Sequence, residues 1–146
     1  MKKIMGVSAI ILMLLFCLGT AIADEGKIEQ LIKNYETACN ERDIALLRTT
    51  YHKVYLQVSA DLRNKLYWSS SEGDIVFKET EKFFRILKSH KVANIQITVQ
   101  QSIAYVHCDE FQTFTNGKKS KSKTLITCVK DKGRWYIAMQ SSQEVE

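Results

Sequence analysis

The sequence predicts an α+β fold, with three helices at the N-terminal end covering one face of an antiparallel sheet. Two observations carry this. Asn94 to Gln140 is rich in Ile, Val, Thr, Tyr and Phe and is broken by short turn signals, the pattern of a four-strand meander. The preceding segments show apolar residues at three-and-four spacing, the pattern of helices with one buried face.

In chain order, Lys2 and Lys3 precede an apolar run from Ile4 to Leu18, and Ala21-Ile22-Ala23 has the small-x-small form of a cleavage site. Residues 1–23 therefore read as a cleaved signal peptide and 24–146 as a single exported domain, periplasmic or secreted. An uncleaved anchor is the alternative, although the run is short of the about 20 residues a membrane span needs. A lipid-modified Cys17 fits less well, because Phe16 stands where a small residue is wanted. Without the leader, 19 basic residues face 16 acidic ones, a net charge of +3 that demands no nucleic acid.

Ile28, Leu31, Ile32, Tyr35 and Ala38 or Cys39 define the first helix, from Lys27 to Asn40. Asp43 is positioned to cap a second, short one through Leu46, Leu47 and Thr50. In Tyr51 to Ser71, Val54, Leu56 and Val58 alternate as in a strand, while a continued helix is also compatible. Ser69 to Gly73 reads as a loop. Asp74 is expected to cap a third helix, with Val76, Phe77, Thr80, Phe83, Phe84 and Leu87 on its core face and its end near Ser89-His90.

The strands are expected at Asn94–Val99, Ile103–Phe114, Lys123–Lys130 and Arg134–Gln140. Asn116-Gly117 suits a two-residue type I′ turn, and Asp131-Lys132-Gly133 a three-residue loop. Glu110 would then face Lys123, and Val129 would meet Trp135. One face would collect Ile95, Ile97, Val99, Ala104, Val106, Cys108, Leu125, Val129, Trp135, Ile137 and Met139. The other, mixed face would collect Tyr105, His107, Asp109, Ile126, Cys128, Tyr136 and Gln140, among others. Gln143 to Glu146 reads as a frayed tail. Cys108 and Cys128 fall on opposite faces in this register, so buried thiols are expected. A Cys108–Cys128 bridge is the alternative if the hairpin loop is longer.

Three stretches carry a resemblance to a known family: the first two helices with their Asn40-to-Asp43 step, the strand Ile103-Ala104-Tyr105-Val106, and the closing Lys132-Gly133-Arg134-Trp135-Tyr136-Ile137. Together with the order of elements, they resemble the nuclear transport factor 2-like superfamily, which includes SnoaL-like and ketosteroid-isomerase-like domains. The resemblance implies a cone-shaped α+β roll whose curved, mostly antiparallel sheet wraps the long helix around a cavity. It also implies a homodimer through the opposite sheet face.

Candidates for chemistry are Glu110, as the carboxylate on the apolar face, or Asp109 if the register slips, with His52 or His107 assisting. Tyr105, His107 and Asp109 alternate on the mixed face, where the plainer reading is a solvated or dimer-facing strand. Tyr35, Cys108, Glu110 and Trp135 are the expected ligand-binding residues, and the cavity wall is expected to be apolar. No CxxC, HxH or HxxxH is present, so neither metal nor cofactor is expected. Three readings follow: an exported small-ligand binder or dimerising accessory domain, a lyase or isomerase using carboxylate–His acid–base chemistry, or a protein-interaction module using Tyr105, Ile126 and Tyr136. The Lys118, Lys119, Lys121 and Lys123 cluster could touch an anion but reads first as a solubilising hairpin tip.

Overall fold

The computed structural model describes residues 24–63, 65–70 and 74–146. The expected signal peptide, and residues 71–73 of the expected loop, lie outside the described residues. Three helices pack on one mostly antiparallel, six-stranded sheet. The elements are α1 (24–41), α2 (Ile44–Thr50), β1 (Tyr51–Ala60), β2 (Leu66–Ser70), α3 (Ile75–Ile86), β3 (Leu87–Gln100), β4 (Ile103–Phe114), β5 (Lys119–Asp131) and β6 (Arg134–Glu144). The strand order is β2-β1-β6-β5-β4-β3, with β1 parallel to β6 and every other pair antiparallel.

The expected stripe of α1 is buried: Ile28, Leu31, Ile32, Tyr35, Ala38 and Cys39 all face the core. Arg42 then takes a positive φ of 58°, which ends the helix. The Asp43 side chain accepts from the Leu46 N–H at 2.9 Å and starts α2. The Asn40-to-Asp43 step thus has two separate duties. Asn40 Oδ1 accepts from the His90 N–H while its Nδ2 donates to the His90 carbonyl, both at 2.8 Å. Glu36 Oε2 accepts from the Val92 N–H at 2.7 Å, and Arg42 donates to the carbonyls of Phe84 and Leu87. The outer edge of β3 is thereby covered from Leu87 to Val92 by the side chains of Glu36, Asn40 and Arg42, which occupy that part of the pairing edge. Asn40→Ala is expected to cost about 1–3 kcal/mol in a urea titration, because it strips both polar groups of His90's backbone at once.

Tyr51–Ala60 and Leu66–Ser70 are strands that pair as a hairpin, so the strand reading of this stretch holds where it is described. Among the described residues of β1, Tyr51 and Tyr55 are buried, whereas Val54 and Leu56 are 70% and 41% exposed. Asp61 Oδ1 accepts from the N–H groups of Arg63 and Lys65, and this closes the turn. Asp74, expected as the cap of α3, makes no side-chain cap bond; it has φ 60° and pairs with Arg48. Helix α3 runs straight into β3 at Leu87, so His90 lies in a strand and is buried.

The two hairpin loops exchange the lengths expected of them. Lys132 and Gly133, at φ 48° and 82°, form the two-residue loop, so Asp131 pairs with Arg134. The Asn116-Gly117 turn is a three-residue loop: Gly117 N–H bonds to the Phe114 carbonyl, and Gly117 alone of residues 115–117 has positive φ, 84°. Asn116 instead uses its side chain to accept from the Lys118 N–H at 3.0 Å. Each change shifts the register by one residue, which turns β5 over relative to both neighbours. Ile126 and Cys128 therefore belong to the core, while Leu125 and Val129 face away. Glu110 sits opposite Ser122, and Asp109 opposite Lys123. The two shifts cancel for β6, leaving Trp135 and Ile137 inside.

A bulge in β6 opposite Thr127 and Cys128 then moves Met139 off the core face and Gln140 onto it. A second bulge in β3, at Asn94 with φ 54°, leaves Ile95 39% exposed instead of in the core. Cys39, Cys108 and Cys128 are free and buried, and Cys108 and Cys128 share one face. Gln143 and Glu144 belong to β6, and the backbones of Val145 and Glu146 bond to Lys121, so the expected frayed tail is tied down.

Candidate functional site

Between the helices and the core face of the sheet lies a cavity of about 860 Å³. Its two sides differ in chemistry. The helical side presents Leu47, Ile75, Val76, Phe83 and Phe84. The sheet side presents Gln57, Ser59, Ser120, Ser122, Ser142 and Glu144. The expected apolar wall holds only in part, on the helical side, where Glu79 and Thr80 of α3 also line the space. Ser120, Ser122 and Ser142 come from stretches of β5 and β6 that extend beyond the strand ends read from the sequence, and Ser59 comes from β1.

The most buried polar group of the cavity is Glu110, with its side chain 5% exposed. Gln140 organises the groups around it. Its Nε2 donates to Glu110 Oε1 at 2.9 Å and to the Tyr35 hydroxyl at 3.0 Å. Its Oε1 accepts from the Tyr55 hydroxyl at 2.7 Å and, more weakly, from Tyr51 at 3.5 Å. The Tyr51 and Tyr55 rings stack at 3.9 Å, and Tyr35 meets His90 edge-on at 5.3 Å. Burial pushes all three phenols well above their ordinary range, so they stay protonated donors.

His90 completes the group, with Nε2 3.7 Å from Glu110 Oε2. Burial opposes charge on this imidazole, but the Cys39 and Glu110 side chains beside it outweigh burial and lift it to about 10. Neither ring nitrogen makes a hydrogen bond.

Of the residues singled out from sequence, Glu110 and Tyr35 line this cavity, and the others lie elsewhere. Trp135 is buried against the start of α1, where its Nε1 donates to Asp24 at 3.2 Å and Lys130 grips the same carboxylate. Cys108 is packed within the sheet, and burial holds its thiol, like that of Cys128, up at about 12. His52 sits by the β5–β6 hairpin, 3.6 Å from Asp131 and edge-on to Tyr136. His107 and Asp109 face the opposite side of the sheet, bordering a second depression of about 520 Å³. There, hydrogen bonds from Lys123 and Asn94 hold the Asp109 carboxyl below its usual range. Ile126, being fully buried, leaves the surface patch expected with Tyr105 and Tyr136.

His90, Gln140, Tyr51, Tyr55 and Cys39 are the site residues that sequence reasoning passed over. The Tyr51–Tyr55 pair had a usable signal, since residues four apart in a strand share a face. Gln140 had none, because a bulge decides its side.

No family model matches the chain, and neither does any curated protein. Solved structures do. A nuclear transport factor 2-like protein of unknown function from Shewanella baltica matches with a TM-score of 0.67 at 14% identity, over 86% of this chain and 96% of that one. Another, from Pseudomonas putida, has a TM-score of 0.68 at 14% identity, over 84% and 87%. A protein of unknown function with a cystatin-like fold from Nostoc punctiforme gives 0.66 at 12%, over 84% and 92%. Helices on one face of a mostly antiparallel six-stranded sheet, an enclosed polar group and these likenesses agree on one conclusion: the chain has the nuclear transport factor 2-like fold.

Proposed function

We propose that this is an exported domain that binds a small amphipathic molecule in the cavity. The observation that carries the reading is a buried carboxylate, Glu110, at the inner end of a space of about 860 Å³. That volume suits a small molecule. The apolar part of the ligand would lie on Val76, Phe83 and Phe84, and a donor group would reach Glu110. Serines of β5 and β6 offer further hydrogen bonds along the way.

The test is native mass spectrometry of the 24–146 chain, purified without denaturation from a bacterial periplasm, followed by thermal shift with a panel of amphipathic compounds. The expected result is added mass on the wild type, or a compound that raises its Tm, with the effect lost in Ser122→Phe, which places a ring in the cavity. No retained mass and no compound that raises Tm would sink the reading. The same spectrum reports whether two copies associate, which we propose occurs through the sheet face bearing Tyr105 and Tyr136.

One observation favours a second reading, acid–base catalysis. Glu110 has an imidazole 3.7 Å away, although it is His90 and neither His52 nor His107. Turnover that is lost in Glu110→Gln while ligand binding persists would move the protein to this class.

A further inference from the structure

Four carboxylates line the cavity: Asp61, Glu79, Glu110 and Glu144. Each already has a basic side chain beside it, in that order Arg63 at 3.3 Å, Lys82 at 2.9 Å, His90 at 3.7 Å and Lys118 at 3.6 Å. A charged guest would lose its hydration here without finding an unbalanced partner. The rest of the polar side is neutral. Gln57, Ser59, Gln112, Ser122 and Ser142 line the space, are half-buried, and make no side-chain hydrogen bond among the described residues. A wholly apolar guest would cover these five groups and give nothing back. Hydroxyls and amides both donate and accept, so the guest that matches them carries several hydroxyls of its own. The groups also stand in rows. Ser122 lies between Glu110 and Glu144 on one rung of the sheet, and Ser120 lies opposite Gln112 on the next rung of the same face. Neighbouring strands are about 4.8 Å apart, which matches the separation of alternate equatorial hydroxyls on a pyranose ring. The helical side supplies aromatic surface. Phe83 meets Phe114 edge-on at 6.1 Å, and both rings line the cavity and are only half-buried.

We propose that the guest of this cavity is a short neutral saccharide, an inference that rests on the binding reading above and names its ligand class. A pyranose is amphipathic in the required sense. Its axial C–H bonds make its faces apolar, and its hydroxyls form a polar rim. The C–H face lies against Phe83, where an aromatic ring offers area at little ordering cost. The rim turns to the sheet. Glu110, the most buried polar group of the cavity, accepts from the innermost hydroxyl. Ser122, Ser142 and Gln112 exchange hydrogen bonds with the hydroxyls nearer the mouth. A few such groups on rigid strands fix which sugar fits.

The test is an NMR titration of the isotope-labelled 24–146 chain. The neutral probes are the disaccharides cellobiose, maltose, lactose and chitobiose. Cellobiouronic acid is the anionic control and de-N-acetylated chitobiose the cationic one. Naphthalen-2-ol, an apolar ring system with a single donor, reports on the cavity alone. At least one neutral disaccharide is expected to shift amide signals of α3, β5 and β6 together, and to bind more tightly than either charged control. Ser122→Ala should weaken that disaccharide about threefold to tenfold, the scale of one lost hydrogen bond, and leave naphthalen-2-ol unchanged. Phe83→Leu, which keeps an apolar side chain without the ring, should weaken the disaccharide as well. Should Phe83→Leu fail to fold, Ser122→Ala decides alone, since the Ser122 side chain is half-buried and bonds to no other described residue. Binding of naphthalen-2-ol with no disaccharide bound overturns the saccharide inference and leaves the binding cavity standing. Binding of none of the probes overturns both. A charged control that binds as tightly as the neutral disaccharides, or a disaccharide whose affinity is the same in Ser122→Ala, overturns the proposed recognition.

Discussion

Replacing Gln140 with Leu is expected to lower stability by about 3 kcal/mol and Tm by on the order of 10 °C. The side chains are similar in volume, so little of this loss is a packing defect. It comes from the polar groups left behind. Gln140 is 2% exposed, and its single amide serves Glu110, Tyr35, Tyr55 and, at 3.5 Å, Tyr51. Leu would remove the Glu110 donor at 2.9 Å and the Tyr35 donor at 3.0 Å and take away the 2.7 Å bond to the Tyr55 hydroxyl, all away from water. Buried groups stranded in this way cost about 1–3 kcal/mol each. Calorimetry of the wild type and the variant at neutral pH checks it. A Tm change of less than about 2 °C would mean that water or a rearranged tyrosine meets the same groups.

The second large effect is a loss of stability as pH rises. His90 is raised from 6.5 to about 10 in the folded chain. Below about 6.5 both folded and unfolded chains hold this proton, and the contribution is present in full. As pH climbs, the unfolded chain releases the proton while the folded chain keeps it. Stability then falls by up to about 1.4 kcal/mol per pH unit until His90 itself titrates near 10.

Between pH 6.5 and about 8.5 the expected fall is on the order of 2 kcal/mol. Above that the two buried thiols, Cys108 and Cys128, each raised to about 12, push in the same direction, because the unfolded chain ionises them first. Urea unfolding at a series of pH values gives the slope, and His90→Gln should flatten its neutral part while keeping the alkaline part. A wild-type profile that is level from pH 7 to 8.5 would show that His90 is not held protonated against Glu110.

The two experiments address one constellation from different sides. Gln140 fixes the Glu110 and tyrosine hydroxyl positions, and His90 supplies the charge that a carboxylate 5% exposed would otherwise lack. A ligand donor arriving at Glu110 would meet groups already oriented, which lowers the ordering cost of binding.

Much of the fold was legible locally, and particular residues show why. The apolar stripes of α1 and α3, the Asp43 cap and the four β-rich segments are all set by spacing and short-range chemistry. Glu110 and Tyr35 were reachable because each sits on an element whose buried face is plain from its own periodicity. The orientation of β5 was not. Asn-Gly favours one loop and Lys-Gly another only weakly, and each extra loop residue inverts a strand. Two loops of exchanged length left β6 facing as expected and turned β5 over.

The sequence by itself determined the α+β class, the helix faces and the central parts of the last four strands, because these depend on periodicity within a single element. Only the tertiary structure decided that Gln140, His90 and Cys39 converge on Glu110. Gln140 reaches the core through a bulge in β6. His90 is drawn inside by Asn40, 50 residues away in the chain. Cys39 gains a neighbour only when α1 lies against β3. None of the three contacts has a period, so none leaves a local trace; each exists because distant backbone polar groups and apolar faces had to be satisfied together.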